Sequence, residues 1–333
     1  MLISISAGGC RAVSLGSSTS SLFRLRNFHL EHSLNPVRKA FNVSPFLSQK
    51  LENYFGIYET LFNDLQGTNC TFMEIGILHG GSLFMWREFL GPKARIIGVD
   101  LNPSAVKWRE YGFEIYIGSQ TDPHFWKYLE TKVESFDAIL DDGGHTNEQQ
   151  MSSVIYGAGL LKNGGVLAIE DTHSNFWSNF GNPSRFSFAN FAHMISDDLT
   201  KFGCVRKDTR LSKLIAEVRV FPSITAFVID RDKASEPARA LSNHGIVDTA
   251  PDMRFYTSNH VIKSLIQIER SLLAGVKIGR RRKWLKIFNP LLSTRMFAWP
   301  RKLLATLAHS LLHINLRLKN YLNYRKLFKE YLQ

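Results

Sequence analysis

The chain has 333 residues, 44% of them hydrophobic, and a formal net charge of +12. Its three cysteines are odd in number and far apart, which indicates reduced thiols and excludes a disulfide framework or a zinc site. The charge is uneven: residues 276–333 hold 14 of the 41 Lys and Arg residues and one acid, so the rest of the chain has a net charge of −1. Because a catalytic domain that tracks a phosphate backbone spreads basic residues over its binding face, we expect no nucleic-acid partner.

Residues 1–45 are predicted to form a poorly ordered N-terminal extension. Residues 1–30 contain Arg11, Arg24 and Arg26, many serines and no acid, a composition that transit peptides share with plain disordered extensions. The chain has no run of about 18 apolar residues that could span a bilayer. We therefore expect a cytoplasmic protein, and organelle targeting by residues 1–30 stays open.

From residue 46 to residue 235 the pattern predicts one α/β domain. Residues 46–66 carry apolar side chains at helical spacing, and later helical stretches include 82–90 and 146–161. Short strand-like runs alternate with the helical stretches, which is typical of a doubly wound parallel sheet. The strand-like runs are 71–75, 95–100, 113–118, 136–141 and 165–170.

The domain is predicted to end in a β-hairpin. After a polar and aromatic segment, 172–213, that suits a lid or substrate loop, strand-like runs 214–220 and 224–230 are separated by only three residues. So short a connection forces antiparallel pairing, because a parallel crossover needs a dozen residues or more. A parallel sheet finished by an antiparallel hairpin is the Rossmann-like layout of class I methyltransferases, and an all-parallel dinucleotide-binding sheet lacks it.

A glycine-rich loop follows the first predicted strand and opens a helix, in the sequence EIGILHGGS from Glu74 to Ser82. Glycines let the backbone approach a ligand, and ligands of open α/β sheets bind at the carboxyl ends of the strands. An acid in this loop disfavours a pyrophosphate but suits the cationic S-adenosylmethionine (SAM), and Asp100 at the end of the second strand is placed to accept hydrogen bonds from a ribose. The predicted SAM-binding residues are Glu74, Gly76, Gly80, Gly81, Ser82, Asp100, Ser119, Gln120 and Asp141.

Carboxylates cluster at the ends of the fourth and fifth predicted strands. Asp141 and Asp142 end one strand, and Glu170 and Asp171 end the next. Carboxylates that converge without a basic neighbour repel one another unless a cation neutralises them, and oxygen ligands select a hard ion such as Mg²⁺ or Mn²⁺. His145, three residues after Asp142, is a candidate general base at the rim of this cluster.

These segments resemble a known family. MEIGILHGGSLFMWREFLGPKARIIGVDLNP and FDAILDDGGHTNEQQ, with the later Glu170-Asp171 pair, are similar to the metal-dependent sugar O-methyltransferases of macrolide and anthracycline-type antibiotic pathways. The cephalosporin hydroxylase group is a relative of these enzymes. The likeness covers about residues 50–175 and departs from the family at Gly144, where a serine is usual. It implies Mg²⁺ ligands at Asp142, Glu170 and Asp171, a base at His145, and methylation of a hydroxyl on a small glycoside or glycan.

The remaining regions are a connecting helical segment, 236–275, and a basic amphipathic helical tail, 276–333. The tail suits an interfacial helix on an anionic membrane, or a helix packed on its own domain or on a second subunit of a homo-oligomer. Three other functions stay open at this stage. They are methylation of a phenolic or catechol-type hydroxyl, a non-catalytic protein that binds a membrane or polyanion, and an NAD-linked oxidoreductase, which the glycine spacing disfavours.

Overall fold

The computed structural model describes residues 35–180, 186–201, 209–237, 239–245 and 307. The chain divides into two units, Met1–Leu241 and Ser242–Gln333, and nearly all described residues belong to the first. The predictions for residues 1–34, for most of segment 236–275 and for the basic tail apart from residue 307 lie outside the described residues. Within the described ranges, no helix is long and apolar enough to cross a membrane.

The described part of the first unit is built on a seven-stranded sheet with the order β3-β2-β1-β4-β5-β7-β6. Strand β7 is antiparallel to both of its neighbours, and the other pairs are parallel. The prediction of a parallel sheet that ends in an antiparallel hairpin is therefore confirmed. The strands are β1 Thr71–Ile75, β2 Arg95–Asp100, β3 Glu114–Ile117, β4 Phe136–Asp141, β5 Leu161–Ile169, β6 Ile215–Phe221 and β7 Ile224–Ile229.

Strand β5 begins four residues before its predicted start. Leu161 already pairs with Phe136, and the register then shifts before Val166 pairs with Ala138. The intervening Lys-Asn-Gly-Gly sequence is typical of a turn, so its composition conceals a strand that continues through an irregularity in the pairing.

Helices cover both faces of the sheet. The described α-helices are α1 Pro36–Val43, α2 Tyr54–Phe62, α3 Gly81–Leu90, α4 Pro123–Lys132, α5 Asn147–Gly157, α6 Phe188–Thr200 and α7 Arg231–Ser235. Helix α1 starts at the Asn35 cap and buries Val37 and Ala40, so ordered structure begins inside the segment predicted as an extension. One core cluster includes α2 and α3 residues such as Tyr58 and Trp86, and the other includes α4 and α5 residues.

The prediction of a helix over 46–66 is wrong in its first half. Residues 46–53 are not helical, and α2 begins only at Tyr54. The first half of the helical period rested on Leu47 and Leu51, but these side chains are 68% and 47% exposed. Lys50 between them points inward instead, with a side chain that is only 2% exposed. This non-helical segment, residues 44–53, is called the entry segment below.

Candidate active site

The glycine-rich segment that follows β1 and includes the first two residues of α3 is called the cofactor loop (residues 76–82), and it requires its glycines. Gly76 and Gly80 have φ angles of +89° and +76°, in the region that favours glycine. A β-carbon at Gly76 would collide with the backbone carbonyl of Asp142, and one at Gly80 would collide with the Trp108 ring. The cofactor loop therefore lies directly against the end of β4, where the acidic residues begin.

Asp100 holds the cofactor loop in place. Its Oδ2 atom accepts hydrogen bonds from the backbone N–H groups of Ile77 and Leu78, at 2.9 and 3.2 Å. Its Oδ1 atom accepts one from the N–H of Asn102 at 2.8 Å. Leu78 has a φ of +45°, which is strained for leucine, and the bond from Asp100 helps to hold it there. The predicted contact of Asp100 with a ribose stays a prediction, and the structure adds a role in ordering the loop.

Four other predicted cofactor residues are buried and pair with one another inside the protein. The Ser82 hydroxyl donates to Glu74 Oε2 at 2.7 Å, and the Gln120 amide donates to Asp141 Oδ2 at 2.8 Å. Asp141 also accepts from the N–H of Gly143 at 3.0 Å, and burial raises its pKa. In this conformation these side chains stabilise the loops after β1, β3 and β4 from within, and sequence spacing could not separate that role from ligand contact.

Two further predicted cofactor residues lie on the loops themselves. Gly81 packs under the backbone carbonyls of Phe46 and Leu47, and its own carbonyl accepts a hydrogen bond from the Ser44 hydroxyl at 2.8 Å. The half-buried Ser119 hydroxyl lies 2.8 Å from the Thr121 hydroxyl. The entry segment thus rests on the first turn of α3, beside the cofactor loop.

Asp142, His145 and Asp171 form a half-buried group at the carboxyl ends of β4 and β5. One potential ligand atom from each residue lies within 4.8 Å of the others, a spacing that could hold a metal ion. His145 Nε2 is 3.5 Å from Asp171 Oδ2 and 3.9 Å from Asp142 Oδ1. His145 and Asp171 have φ angles of +58° and +52°. Such strain in residues other than glycine is concentrated at functional sites in proteins.

Glu170, the third predicted metal ligand, is buried and hydrogen-bonded to other side chains. Its Oε1 atom accepts a hydrogen bond from the Tyr58 hydroxyl at 2.5 Å, and Lys50 Nζ donates to Oε2 at 3.0 Å. Burial and the nearby charge of Asp142 raise the pKa of Glu170, although the Lys50 and Tyr58 bonds oppose that rise. Asp171 is bound similarly, since the Tyr54 hydroxyl donates to its Oδ1 atom at 2.5 Å.

Lys50 corrects the expectation that the acids have no basic neighbour. Its Nζ atom lies 2.5 Å from Asp142 Oδ2, 3.0 Å from Glu170 Oε2 and 3.8 Å from Glu74 Oε1. Burial lowers the pKa of Lys50, but the three carboxylates outweigh that effect and the net shift is upward, so the ammonium stays charged.

Lys50, Tyr54 and Tyr58 are site residues that the sequence pattern did not reveal. They recur every four residues on a segment whose pattern was interpreted from its apolar side chains, Tyr54 among them. The sequence did contain a signal for them: a lysine and two tyrosine hydroxyls lie on one apparent helix face, and the same chain has an acidic cluster without a basic partner. Only the fold shows that Lys50 pairs with Glu170, because the two residues are 120 positions apart in the sequence.

Aromatic side chains line the outer side of this group. The His173 and Trp177 ring centroids are 4.7 Å apart, and those of Trp177 and Phe180 are 5.9 Å apart. The Phe180 ring lies 6.4 Å from the His145 ring. Trp177 and its neighbour Phe176 are 49% and 65% exposed. We call Phe176, Trp177 and Phe180 the aromatic rim; it offers flat apolar surface beside the acids.

Parts of this chain are similar to known O-methyltransferases. No family model matches the chain. The L-olivosyl-oleandolide 3-O-methyltransferase of Streptomyces antibioticus is 30% identical over 138 residues, which are 39% of this chain and 35% of that enzyme. The mycinamicin VI 2''-O-methyltransferase of Micromonospora griseorubida is 30% identical over 132 residues, 37% of this chain and 32% of that enzyme. The matches therefore span about a third of the length of these curated relatives.

Solved structures extend the likeness to the fold. The MycE methyltransferase from the mycinamycin biosynthetic pathway, in complex with Mg and SAH, superposes with a TM-score of 0.54 and 22% identity. That superposition covers 61% of this chain and 55% of MycE. A second crystal form gives a TM-score of 0.54 at 18% identity, over 73% of this chain and 70% of that one. The chain therefore has the Rossmann-like fold of class I methyltransferases and resembles the sugar O-methyltransferases of antibiotic pathways.

Proposed function

We propose that this protein is a SAM-dependent O-methyltransferase that methylates a hydroxyl group of a sugar or glycoside with the help of a divalent cation. The observation that carries the proposal is the contact between the cofactor loop and the acidic group: Gly76 packs on the backbone carbonyl of Asp142. A methyl donor held by the cofactor loop would therefore lie next to a hydroxyl held near Asp142, His145 and Asp171.

SAM is the methyl donor that the loop chemistry favours. Glu74 lies under the cofactor loop, and an acid there would repel a pyrophosphate but not a sulfonium or ammonium group. The curated relatives are O-methyltransferases by name, and MycE was solved with SAH and Mg. These likenesses support the same cofactors here.

The donor set suits Mg²⁺ or Mn²⁺. Asp142 and Asp171 carry carboxylate oxygens, which are hard ligands, and a ring nitrogen of His145 lies within 4.8 Å of both. Glu170 is close to Asp142, since Lys50 Nζ hydrogen-bonds both carboxylates. We propose Asp142, Glu170 and Asp171 as the ligands. A bound divalent ion would supply Lewis acidity that lowers the pKa of an acceptor hydroxyl.

His145 is the proposed general base. Its Nε2 atom faces Asp142 and Asp171, and the Ser174 hydroxyl donates to the His145 carbonyl at 2.8 Å, which fixes the strained backbone of this residue. The acceptor oxygen would attack the methyl carbon in line with the departing sulfur, and the hydroxyl proton would pass to His145 Nε2. Alignment of donor and acceptor would supply much of the remaining acceleration.

The aromatic rim supports a sugar as the acceptor. Exposed indole and phenyl faces bind the apolar C–H faces of sugar rings, as they bind other flat apolar surfaces, and the nearby acids can accept hydrogen bonds from hydroxyls. The Phe180 ring lies next to His145, the proposed base, and the Trp177 ring packs on Phe180.

The proposal is tested by transfer of an isotopically labelled methyl group from SAM to panels of glycosides and of catechols, followed by mass spectrometry. We expect labelled glycosides, no labelled catechols, loss of transfer in EDTA and its recovery with added Mg²⁺ or Mn²⁺. Labelling of catechols alone would reassign the acceptor, and full transfer in EDTA would contradict the metal-assisted mechanism.

A further inference from the structure

Lys50 lies in the middle of the acidic cluster. Its side chain is 2% exposed, and its Nζ atom hydrogen-bonds both Asp142, at 2.5 Å, and Glu170, at 3.0 Å. These are two of the three carboxylates proposed above as metal ligands. The ammonium therefore occupies the space between them, where a divalent cation held by both carboxylates would also lie.

The charge in this cluster leaves room for only one cation between these carboxylates. Glu74, Asp142 and Glu170 surround the ammonium, and Asp171 lies beside His145. Glu74 Oε1 is buried without a hydrogen-bond partner, 3.8 Å from Lys50 Nζ. Removal of the ammonium without replacement would leave the buried Glu74 and Glu170 carboxylates uncompensated, together with the half-buried Asp142, which is strongly unfavourable. A second cation beside the ammonium would be repelled at short range.

We propose that Lys50 and the divalent cation are alternative occupants of the position between Asp142 and Glu170. The ammonium neutralises the cluster in the metal-free protein, and metal binding displaces it. This inference rests on the metal site of the proposed function and adds a built-in competitor to that site. Lys50 would thereby weaken metal binding and stabilise the metal-free fold.

The position of Lys50 in the chain permits such a displacement. Lys50 belongs to the entry segment, which has no regular secondary structure between α1 and α2. The neighbours Leu47 and Leu51 are already exposed, so movement of the chain around Lys50 would expose little additional apolar surface. The segment is held more firmly at Phe46, whose ring packs on Trp108 with centroids 4.7 Å apart. Displacement of Lys50 could therefore occur while the contact with α3 persists.

The first test uses the wild-type protein. Lysines are acylated briefly with an amine-reactive ester, with Mn²⁺ or with EDTA, and each site is quantified by peptide mass spectrometry. We expect Lys50 acylation to rise at least several-fold when Mn²⁺ binds. The exposed Lys39 in α1 is the internal reference and should not change. Bound Mn²⁺ with unchanged Lys50 acylation would overturn the proposal.

The second test compares Lys50→Met with the control Lys39→Met. Mn²⁺ affinity, measured by electron paramagnetic resonance, should increase at least tenfold in Lys50→Met and stay unchanged in Lys39→Met. The melting temperature of Lys50→Met should fall in EDTA and recover with Mn²⁺, whereas that of the wild type should depend much less on the metal. Equal or weaker Mn²⁺ binding by a folded Lys50→Met, or no Mn²⁺ binding by either protein, would overturn the proposal.

A SAM titration on the same samples separates this inference from the proposed function. A gain in Mn²⁺ affinity without SAM binding would support the competition and refute the methyltransferase. SAM binding without the gain would refute only the competition. If Lys50→Met does not fold, the acylation experiment on the wild type decides.

Discussion

Replacement of Asp100 by alanine should weaken SAM binding by about 1–3 kcal/mol, which is about 5- to 150-fold in the dissociation constant. The carboxylate accepts hydrogen bonds from three backbone N–H groups, those of Ile77, Leu78 and Asn102. Without this carboxylate the strained Leu78 would be released, and the cofactor loop would have to become ordered when SAM binds, which costs binding free energy. The predicted contact with the ribose would also be lost. Hydrogen bonds to a half-exposed carboxylate contribute less free energy than buried ones, so we expect a loss of no more than about 3 kcal/mol.

Isothermal titration calorimetry with SAM measures this effect, and Asp137→Ala is the matched control. Asp137 also accepts a backbone hydrogen bond, from Thr71 at 2.7 Å, but it lies near the beginnings of β1 and β4, at the opposite edge of the sheet. Both variants should lose some stability, and only Asp100→Ala should lose affinity for SAM. Equal SAM affinity in Asp100→Ala and the wild type would refute the assigned role of this residue and of the cofactor loop.

Three further variants test the rest of the site. His145→Ala should bind SAM and Mn²⁺ normally in calorimetry but lose about 10²–10⁴-fold in turnover, and near-normal turnover would exclude the base role. Trp177→Ala should raise the KM for a glycoside roughly 2- to 10-fold with little change in kcat, because a stacking face is lost, and an unchanged KM would remove the aromatic rim from the acceptor site. Burial, as the largest cause, raises the pKa of Glu74 to about 7. Since the folded state then keeps a proton that the unfolded state releases, Glu74 should contribute a fall of at most about 3 kcal/mol to the free energy of unfolding as the pH rises from 4.5 to 7. Glu74→Gln should lack this contribution in pH-dependent urea titrations, so the difference in free energy of unfolding between the wild type and the variant should shrink as the pH rises; parallel curves for the two proteins would contradict it.

Much of the sheet could be predicted because its strands are short, apolar and separated by strong turn signals. β1, β2 and β4 begin and end at the predicted residues. The entry segment could not be predicted, because periodicity counts apolar side chains and takes no account of where a charged one is directed. Leu47 and Leu51 gave a helical period, yet both are exposed, and the buried residue between them is Lys50.

The candidate site shows the same limit. Carboxyl ends of adjacent parallel strands meet at one edge of a sheet, so the proximity of Asp142, His145 and Asp171 followed from the order of elements. The pairing of Glu74 with Ser82, and of Gln120 with Asp141, depends on which way each side chain turns. Contact of the basic tail, residues 276–333, with a membrane or a second subunit stays a prediction.

Equilibrium binding of SAM and of NAD⁺ to the full chain tests most directly whether the cofactor loop binds SAM. Calorimetry should show one SAM site per chain, a similar site for SAH and no heat of binding with NAD⁺. The absence of SAM binding, or tighter binding of NAD⁺ than of SAM, would contradict the assignment of this protein as a methyltransferase.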